Sequence, residues 1–589
     1  MCSSAGKKGM AAGETNAAAG AGALADTRGG AALPGRGRTT SRRAFVALGL
    51  GLVAAGMAGA LAGCSDDADD EDAASTDDAT TDDATADSAD AIELIDTESL
   101  FSDRDLEGTW DEDDAEYLVL DDAGPTIDGA GASIEGSVVT IEVGGTYVVT
   151  GSLSDGQLVV DTDDEKVQLV LAGMSVATTG AAALLVQSAD KVFVTLAEGT
   201  QNALAATGAS EATGETTIDG ALFSRDDLTI NGTGALTVTS SQGHGIVGKD
   251  ELTICGGELT VEAAGHAIQA NDSVAISDGT LVLEAGTDGI HAENEDNLEL
   301  GYIYVGGGSL TVVAVSDGLD ASSVLQVDGG TLAVAAGDDG LHAEYDLAIN
   351  GGTISIAQSY EGIEGSTISI TGGTIDVTSS DDGLNAAGEP QEGTTAYSRN
   401  EVMDYDETAA IYITGGTLTI DASGDGIDSN GDLAVAGGTI MVSGPTSGAD
   451  GALDYTGTGE VTGGTVVAAG TTSMAQNFGT SSSQPSMLVG AQGSAGSTIS
   501  LADADGTELV SFAPAKAFTC VVISTPDLEV GETYTLTVDG SSTSIELSDT
   551  IYTSVSGGFS GGTVMGNNGT MGNGMGQIQQ MSPQNRRGR

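Results

Sequence analysis

Two series of ionisable residues recur through the middle of the chain at an offset of three. The first series is Asp219, His244, His266, Asp288, Asp317, Asp339, Glu361, Asp382, Asp425 and Asp450. The second, three residues later each time, is Leu222, Val247, Gln269, His291, Asp320, His342, Glu364, Asn385, Asp428 and Leu453. From Asp288 to Asp428 every member of both series is a carboxylate, an amide or an imidazole. If the series stack, neighbouring carboxylates repel strongly at low effective dielectric and must be solvated, protonated or bridged by a cation. Oxygen ligands at adjustable spacing suit calcium far better than zinc or copper. The leading calcium ligands on this reading are Asp317 with Asp320 and Asp425 with Asp428, then Glu361 with Glu364, with Asp288, Asp339 and Asp382 as neighbours.

A purely structural reading stands beside the chemical one. Asp-Gly is the ordinary dipeptide of tight turns, where Asp caps its own backbone and Gly supplies a positive φ. Turn chemistry does not account for the second acid in Asp317-Gly318-Leu319-Asp320 or Asp425-Gly426-Ile427-Asp428. All four histidines, His244, His266, His291 and His342, also sit on these turns. They offer metal ligation, sugar contacts or simply polar places in the series. His291 and His342, with Tyr345 and Tyr360 nearby, are the candidate ligand contacts.

The elements that position these residues follow from the repeat. Turn positions fall at Gly220, Gly245, Ala267, Gly289, Gly318, Gly340, Gly362, Gly383, Gly426 and Gly451. Most steps are about 22 residues, a common length for one rung of a β-solenoid. Between turns the apolar residues alternate, as in Leu228 and Ile230 before Leu236 and Val238, or Leu433 and Val435 before Ile440 and Val442. With the Ile or Leu after each Asp-Gly, that period of two predicts three short strands per rung. Rungs stacked about 4.8 Å apart pair every backbone group with the rung above and below. The fold expected is therefore all-β, a right-handed parallel β-helix (a β-solenoid) over residues 219–475. Residues 99–218 form an N-terminal β region that caps or begins it. Residues 476–556 form a small C-terminal β domain, and residues 557–589, rich in Gly, Asn, Met and Gln, read as a disordered tail. Gly388 to Asp406 is polar and irregular and reads as a loop extruded from one rung.

Composition narrows the partners. The 589 residues carry a formal charge of -71, with 88 acidic residues against 17 Lys and Arg. Most of the basic residues precede Cys64 or end the chain, so a nucleic-acid partner is excluded for want of a basic face. Cations, or polymers bridged by cations, are the natural partners of such a surface. Aromatic residues make up only 4% of the chain, which fits thin stacked strands rather than a broad globular core.

The N-terminus reads as an address. Thr40-Ser-Arg-Arg-Ala-Phe-Val46 precedes an apolar run to Ala62 and resembles a twin-arginine export signal. Leu61-Ala62-Gly63-Cys64 matches the bacterial lipobox, which makes Cys64 the lipidation site and residues 1–64 the signal; a plain signal anchor is the alternative. Residues 65–98, dominated by Asp, Ala, Thr and Ser, read as an acidic disordered linker. The expected state is an exported monomer on the outer face of the bacterial cell membrane, touching it only through lipid. Cys255 and Cys520 lie far apart in strand-like runs, so no disulfide framework is indicated.

Four runs resemble one family, the bacterial carbohydrate-binding lipoproteins with a polysaccharide-lyase-like right-handed β-helix. They are Phe101-Ser-Asp-Arg-Asp-Leu-Glu-Gly-Thr-Trp110, Ala189-Asp-Lys-Val-Phe-Val-Thr-Leu-Ala-Glu-Gly-Thr200, Gly424-Asp-Gly-Ile-Asp-Ser-Asn-Gly-Asp-Leu433 and Asp450-Gly-Ala-Leu-Asp-Tyr455. The resemblance implies binding of acidic pectic chains or cellulose, with calcium held on the acidic turns. Cellulose is the weaker match, because a flat glucan wants a row of aromatics and the candidates are few: Tyr345, Tyr360, Tyr397, Tyr405, Tyr412 and Tyr455. An enzyme is not expected. A pectate-lyase-like base would have to be Lys249 or Arg399, the only Lys or Arg between Arg225 and Lys516. A polygalacturonase-like site has Gly243-His244-Gly245 but no downstream Arg-Ile-Lys. The remaining alternative is a structural or adhesive surface rod without a defined glycan.

Overall fold

The computed structural model describes residues 95–213, 216–294, 296–388, 405–448 and 450–555, all within one compact unit, Ile92–Arg589. The twin-arginine motif, Cys64, most of the acidic linker, the greater part of the 388–406 loop with Tyr397 and Arg399, and the 557–589 tail lie outside the described residues.

Among the described residues the fold is all-β, apart from one short helix, Asp103–Leu106. Alternating apolar residues make short strands that pair in parallel with their counterparts one repeat later. Leu319–Ala321 pairs with Leu341–Ala343, Val324–Val327 with Asp346–Ile349, and Thr331–Ala335 with Thr353–Gln358. The chain visits three ladders in turn and returns to the first, and these ladders merge into sheets of 25 and 14 strands. Parallel stacking already runs through the region without Asp-Gly turns, where Val138–Ile141 pairs with Gln157–Asp161 and that strand with Leu184–Ser188.

Ile290, Leu319, Leu341, Ile363, Leu384 and Ile427 stack with no more than 1% exposure each, and the same buried core extends from Leu118 to Val522. A second core around Ile499, Leu501, Tyr534 and Leu536 belongs to the C-terminal strands. There the pairing turns antiparallel, first between Gly459–Gly470 and Phe518–Ser524. Cys255 and Cys520 are free and sit in the strands Glu251–Ala263 and Phe518–Ser524.

Three expectations change. The glycines of the repeating turn series, such as Gly289, Gly318 and Gly340, do not have positive φ; in most repeats that conformation falls at the Gly-Gly turn, as at Gly352 with φ 88°. What demands glycine at Gly318 is space, because a Cβ there would lie 2.4 Å from both the Gly340 carbonyl oxygen and Val334 Cγ1. The outward series also slips at both ends: Phe223, not Leu222, pairs with Val247, and Asp454, not Leu453, pairs with Asp428. One more residue separates the turn from the ladder position in those two rungs. Finally, Tyr455 is not an exposed aromatic: it is 3% exposed and its hydroxyl donates to the Asn477 carbonyl at 2.6 Å.

Candidate functional site

The strands Ile290–Ala292, Leu319–Ala321, Leu341–Ala343, Ile363–Gly365, Leu384–Ala386 and Ile427–Ser429 each bury their first and third residues and leave the second half-buried. Period-two alternation thus aims the middle side chain away from the core. In register these side chains are His291, Asp320, His342, Glu364, Asn385 and Asp428, followed by Asp454.

The turn series lies beside this ladder and does a backbone job. The Asp317 N–H donates to Asp288 Oδ1 at 3.1 Å, the Asp339 N–H to Asp317 Oδ1 at 2.7 Å, and the Glu361 N–H to Asp339 Oδ1 at 3.2 Å. The Asp425 N–H donates to Asp382 Oδ1 at 2.5 Å, and the Gly451 N–H to Asp425 Oδ1. The turn aspartates therefore cap the next rung rather than their own turn, as the ordinary turn reading has it. One oxygen of each is committed to the backbone; at Asp288 the other meets His266 Nδ1 at 2.9 Å.

The two series together form a face with two chemically distinct blocks. In the first, Asp320 sits between imidazoles, with Oδ2 2.8 Å from His291 Nδ1 and Oδ1 2.8 Å from His342 Nδ1. Burial alone would raise the Asp320 pKa, but the two imidazole hydrogen bonds outweigh it and hold the carboxyl well below the usual range. Burial opposes charge on His291 most strongly of any single contribution, yet the bond and charge of Asp320, with Glu293 and Asp288, together outweigh it and push it up to about 9. His342 is raised for the same reason. The rings of His244, His266 and His291 stack at centroid spacings of 4.7 and 4.4 Å.

In the second block carboxylates face carboxylates. Burial, reinforced by the Glu361 charge, pushes Glu364 up, and burial with the Asp339 charge does the same to Glu361. Burial raises Asp425 to about 9 despite the Gly451 N–H, with Asp428 and Asp382 adding to it. Asp428 is raised well above the carboxylate range by burial and the charge of Asp382. Asp317 and Asp382 are each pushed up to about 7, chiefly by burial.

Ligand atoms lie within 4.8 Å of one another in Asp288, Asp317 and Asp320; in Asp317, Asp338 and Asp339; in Asp339, Glu361 and Glu364; and in Asp382, Asp425 and Asp428. All nine acids singled out in the sequence thus fall into oxygen-only groups of the kind hard cations take. Asp338 and Asp454 went unnoticed. The doubled Asp338-Asp339 and the Asp450-Gly-Ala-Leu-Asp454 spacing were the available signals. A mixed group of His266, Asp288 and His291 was also missed. Tyr360 is 47% exposed next to the Asp338–Asp339 turn, and its hydroxyl is pushed up to about 12 by a hydrogen bond to Asp381. Tyr345 is half-buried.

Residues 135–383 match the family model described as carbohydrate-binding domain-containing protein. A protein of Acetivibrio thermocellus with that name is 38% identical over 130 residues, covering 21% of this chain and 45% of the relative. The chain thus spans less than half the length of the curated relative it matches. Among solved structures it is similar to the polysaccharide lyase-like protein from C. thermocellum, a gadolinium derivative. That match is 32% identical and covers 40% of this chain and 96% of the other, at a TM-score of 0.39. The family match takes in every group from His266 to Glu364 and ends one residue after Asp382.

Proposed function

We propose that this chain, whose residues 135–383 match the carbohydrate-binding domain family, binds polysaccharide through calcium ions on its acidic face, and does not cleave it. In this reading the ladders wind as a right-handed parallel β-helix, export follows the twin-arginine signal, and lipid on Cys64 holds a monomer at the outer face of the membrane. The observation that carries the reading is the acid-rich run from Asp339 to Asp428, relieved within the two series only by His342 and by the Asn385 amide, which donates to Glu361 at 2.6 Å. Its carboxylates are pushed up by burial and by one another, and Arg399 is the single Lys or Arg in that stretch of sequence. An ion of charge two relieves the repulsion and leaves coordination positions for a second polyanion.

The favoured glycan is an acidic, uronate-type polymer, since calcium bridges two sets of carboxylates. Cellulose is less favoured: Tyr360 and Tyr405 are exposed, but Tyr455 is buried. Against lyase chemistry, the Lys249 ammonium lies 5.7 Å over the Phe223 ring at the far end of the face from the carboxylate block.

The test is retention of the soluble chain from Ser65 on polygalacturonate and on cellulose, with calcium and with chelator. Retention on polygalacturonate that chelator abolishes, and that Asp425→Asn/Asp428→Asn abolishes in calcium, is the expected result. No retention on either polymer would sink the reading and favour a structural rod. Release of unsaturated or reducing ends would make it an enzyme.

A further inference from the structure

The oxygen-only groups do not exhaust the face. At its imidazole end, His266 Nδ1 lies 2.9 Å from Asp288 Oδ2, and His291 Nδ1 lies 3.5 Å from the same oxygen. Asp288 is 6% exposed; His291 follows it by three residues in the same rung, and His266 comes from the rung before. Two nitrogens and one carboxylate oxygen make a donor set for a borderline metal, not for calcium.

The surroundings mark Nδ1 as the nitrogen each ring would offer. Glu293 Oε2 lies 3.3 Å from His291 Nε2 and accepts its N–H, so Nδ1, whose proton is shared with Asp320, is the nitrogen that would exchange that proton for a metal. A carboxylate on the far nitrogen of a metal-binding histidine is what fixes its tautomer and raises its basicity. At His266, the Asp288 N–H donates to Nδ1 at 3.4 Å and the Thr287 hydroxyl lies 3.0 Å from it, so Nδ1 carries the lone pair that a metal would take over.

We infer that His266, Asp288 and His291 form a second metal site, selective for zinc or copper(II) over calcium, with Glu293 as its positioning residue. The stacked rings lie 4.4 Å apart, so an ion between them stands outside both ring planes. Each ring must turn about its Cβ–Cγ bond to bring its lone pair to the ion. Loading therefore opens the stack, and at His291 the metal replaces the proton shared with Asp320 Oδ2, 2.8 Å away. Asp288 is shared with the oxygen-only group of Asp317 and Asp320, but the two imidazole nitrogens do not depend on the calcium reading of that group.

The experiment titrates the chain with zinc in saturating calcium, and separately loads it with one equivalent of copper(II) for electron paramagnetic resonance. Expected are one zinc per chain that calcium does not displace, and copper hyperfine structure from two imidazole nitrogens. Glu293→Gln should weaken zinc about tenfold, the loss typical of an outer-shell carboxylate. His266→Ala or His291→Ala should remove binding, while His342→Gln keeps it. Zinc displaced by calcium, zinc retained by His291→Ala, or a copper spectrum without nitrogen splitting would each overturn the site. The copper spectrum needs no variant, so the test survives if a histidine replacement fails to fold.

Discussion

Asp320 and His342 face each other across one rung, carboxylate Oδ1 to imidazole Nδ1 at 2.8 Å, while the equivalent acid Asp428 faces Asp454 in the same ladder. One register thus holds an ion pair at one end and a repulsive pair at the other, and the two should respond oppositely to the same substitution.

Asp320→Asn should destabilise the fold. It removes the carboxylate that His291 and His342 share in a largely buried place, and a hydrogen bond to a charged group contributes about 1.5–3 kcal/mol. Urea unfolding at pH 6 should show a loss of that order. No loss would mean that the imidazoles are neutral and held by other contacts.

Asp425→Asn with Asp428→Asn should have the reverse sign in metal-free protein. Both acids are raised by burial and by neighbouring charge, so neutral amides of the same shape remove a cost. Each pKa unit is worth about 1.4 kcal/mol. The double variant should therefore unfold at higher urea than the parent in chelator, and should lose whatever stabilisation calcium gives the parent.

Stability should fall as pH rises, through two separable contributions. Asp425 titrates near 9 in the folded chain, so its cost is absent below the unfolded value near 4 and grows until about pH 9. His291 is raised to about 9, so its contribution is complete below its unfolded value near 6.5 and lost as pH rises through 9. Thermal melts across pH 5–10 should show calcium flattening the first contribution and Asp320→Asn removing the second. A pH-independent melting temperature in chelator would contradict both.

Gly318→Ala should destabilise by about 1–3 kcal/mol, the usual cost of overpacking. The added Cβ meets the Gly340 carbonyl and Val334 at 2.4 Å. Gly352→Ala should also destabilise, through its φ of 88° rather than through contact alone. Comparable unfolding curves for Gly318→Ala and the parent would show that the rungs can spread.

Much of the architecture is legible in the sequence, because a stacked repeat writes its geometry as a period. The alternation in Leu228 and Ile230, or Ile354 and Ile356, marks which residues point inward, and the regular step marks which will lie one above another. All nine acids fall in the two series that this period marks. The period fails where the step changes by one residue, at Phe223 and Asp454, because in a strand of period two such a slip moves the neighbouring side chain into the ladder.

Periodicity states which residues stack, and it is silent on what each partner does to the other. Only the folded chain hands one oxygen of Asp317 to the Asp339 N–H, or places Asp320 between two imidazoles while Asp428 meets another acid. Only there does Asp105 reach the Thr229 hydroxyl at 2.5 Å and Lys191 at 2.9 Å, from a segment outside the repeats. Those relations depend on distances of a few ångströms and on the water excluded between rungs, which set the charge of each group. The residue types in this sequence supplied the candidates; stacking decided which of them meet an imidazole, a backbone N–H or another acid.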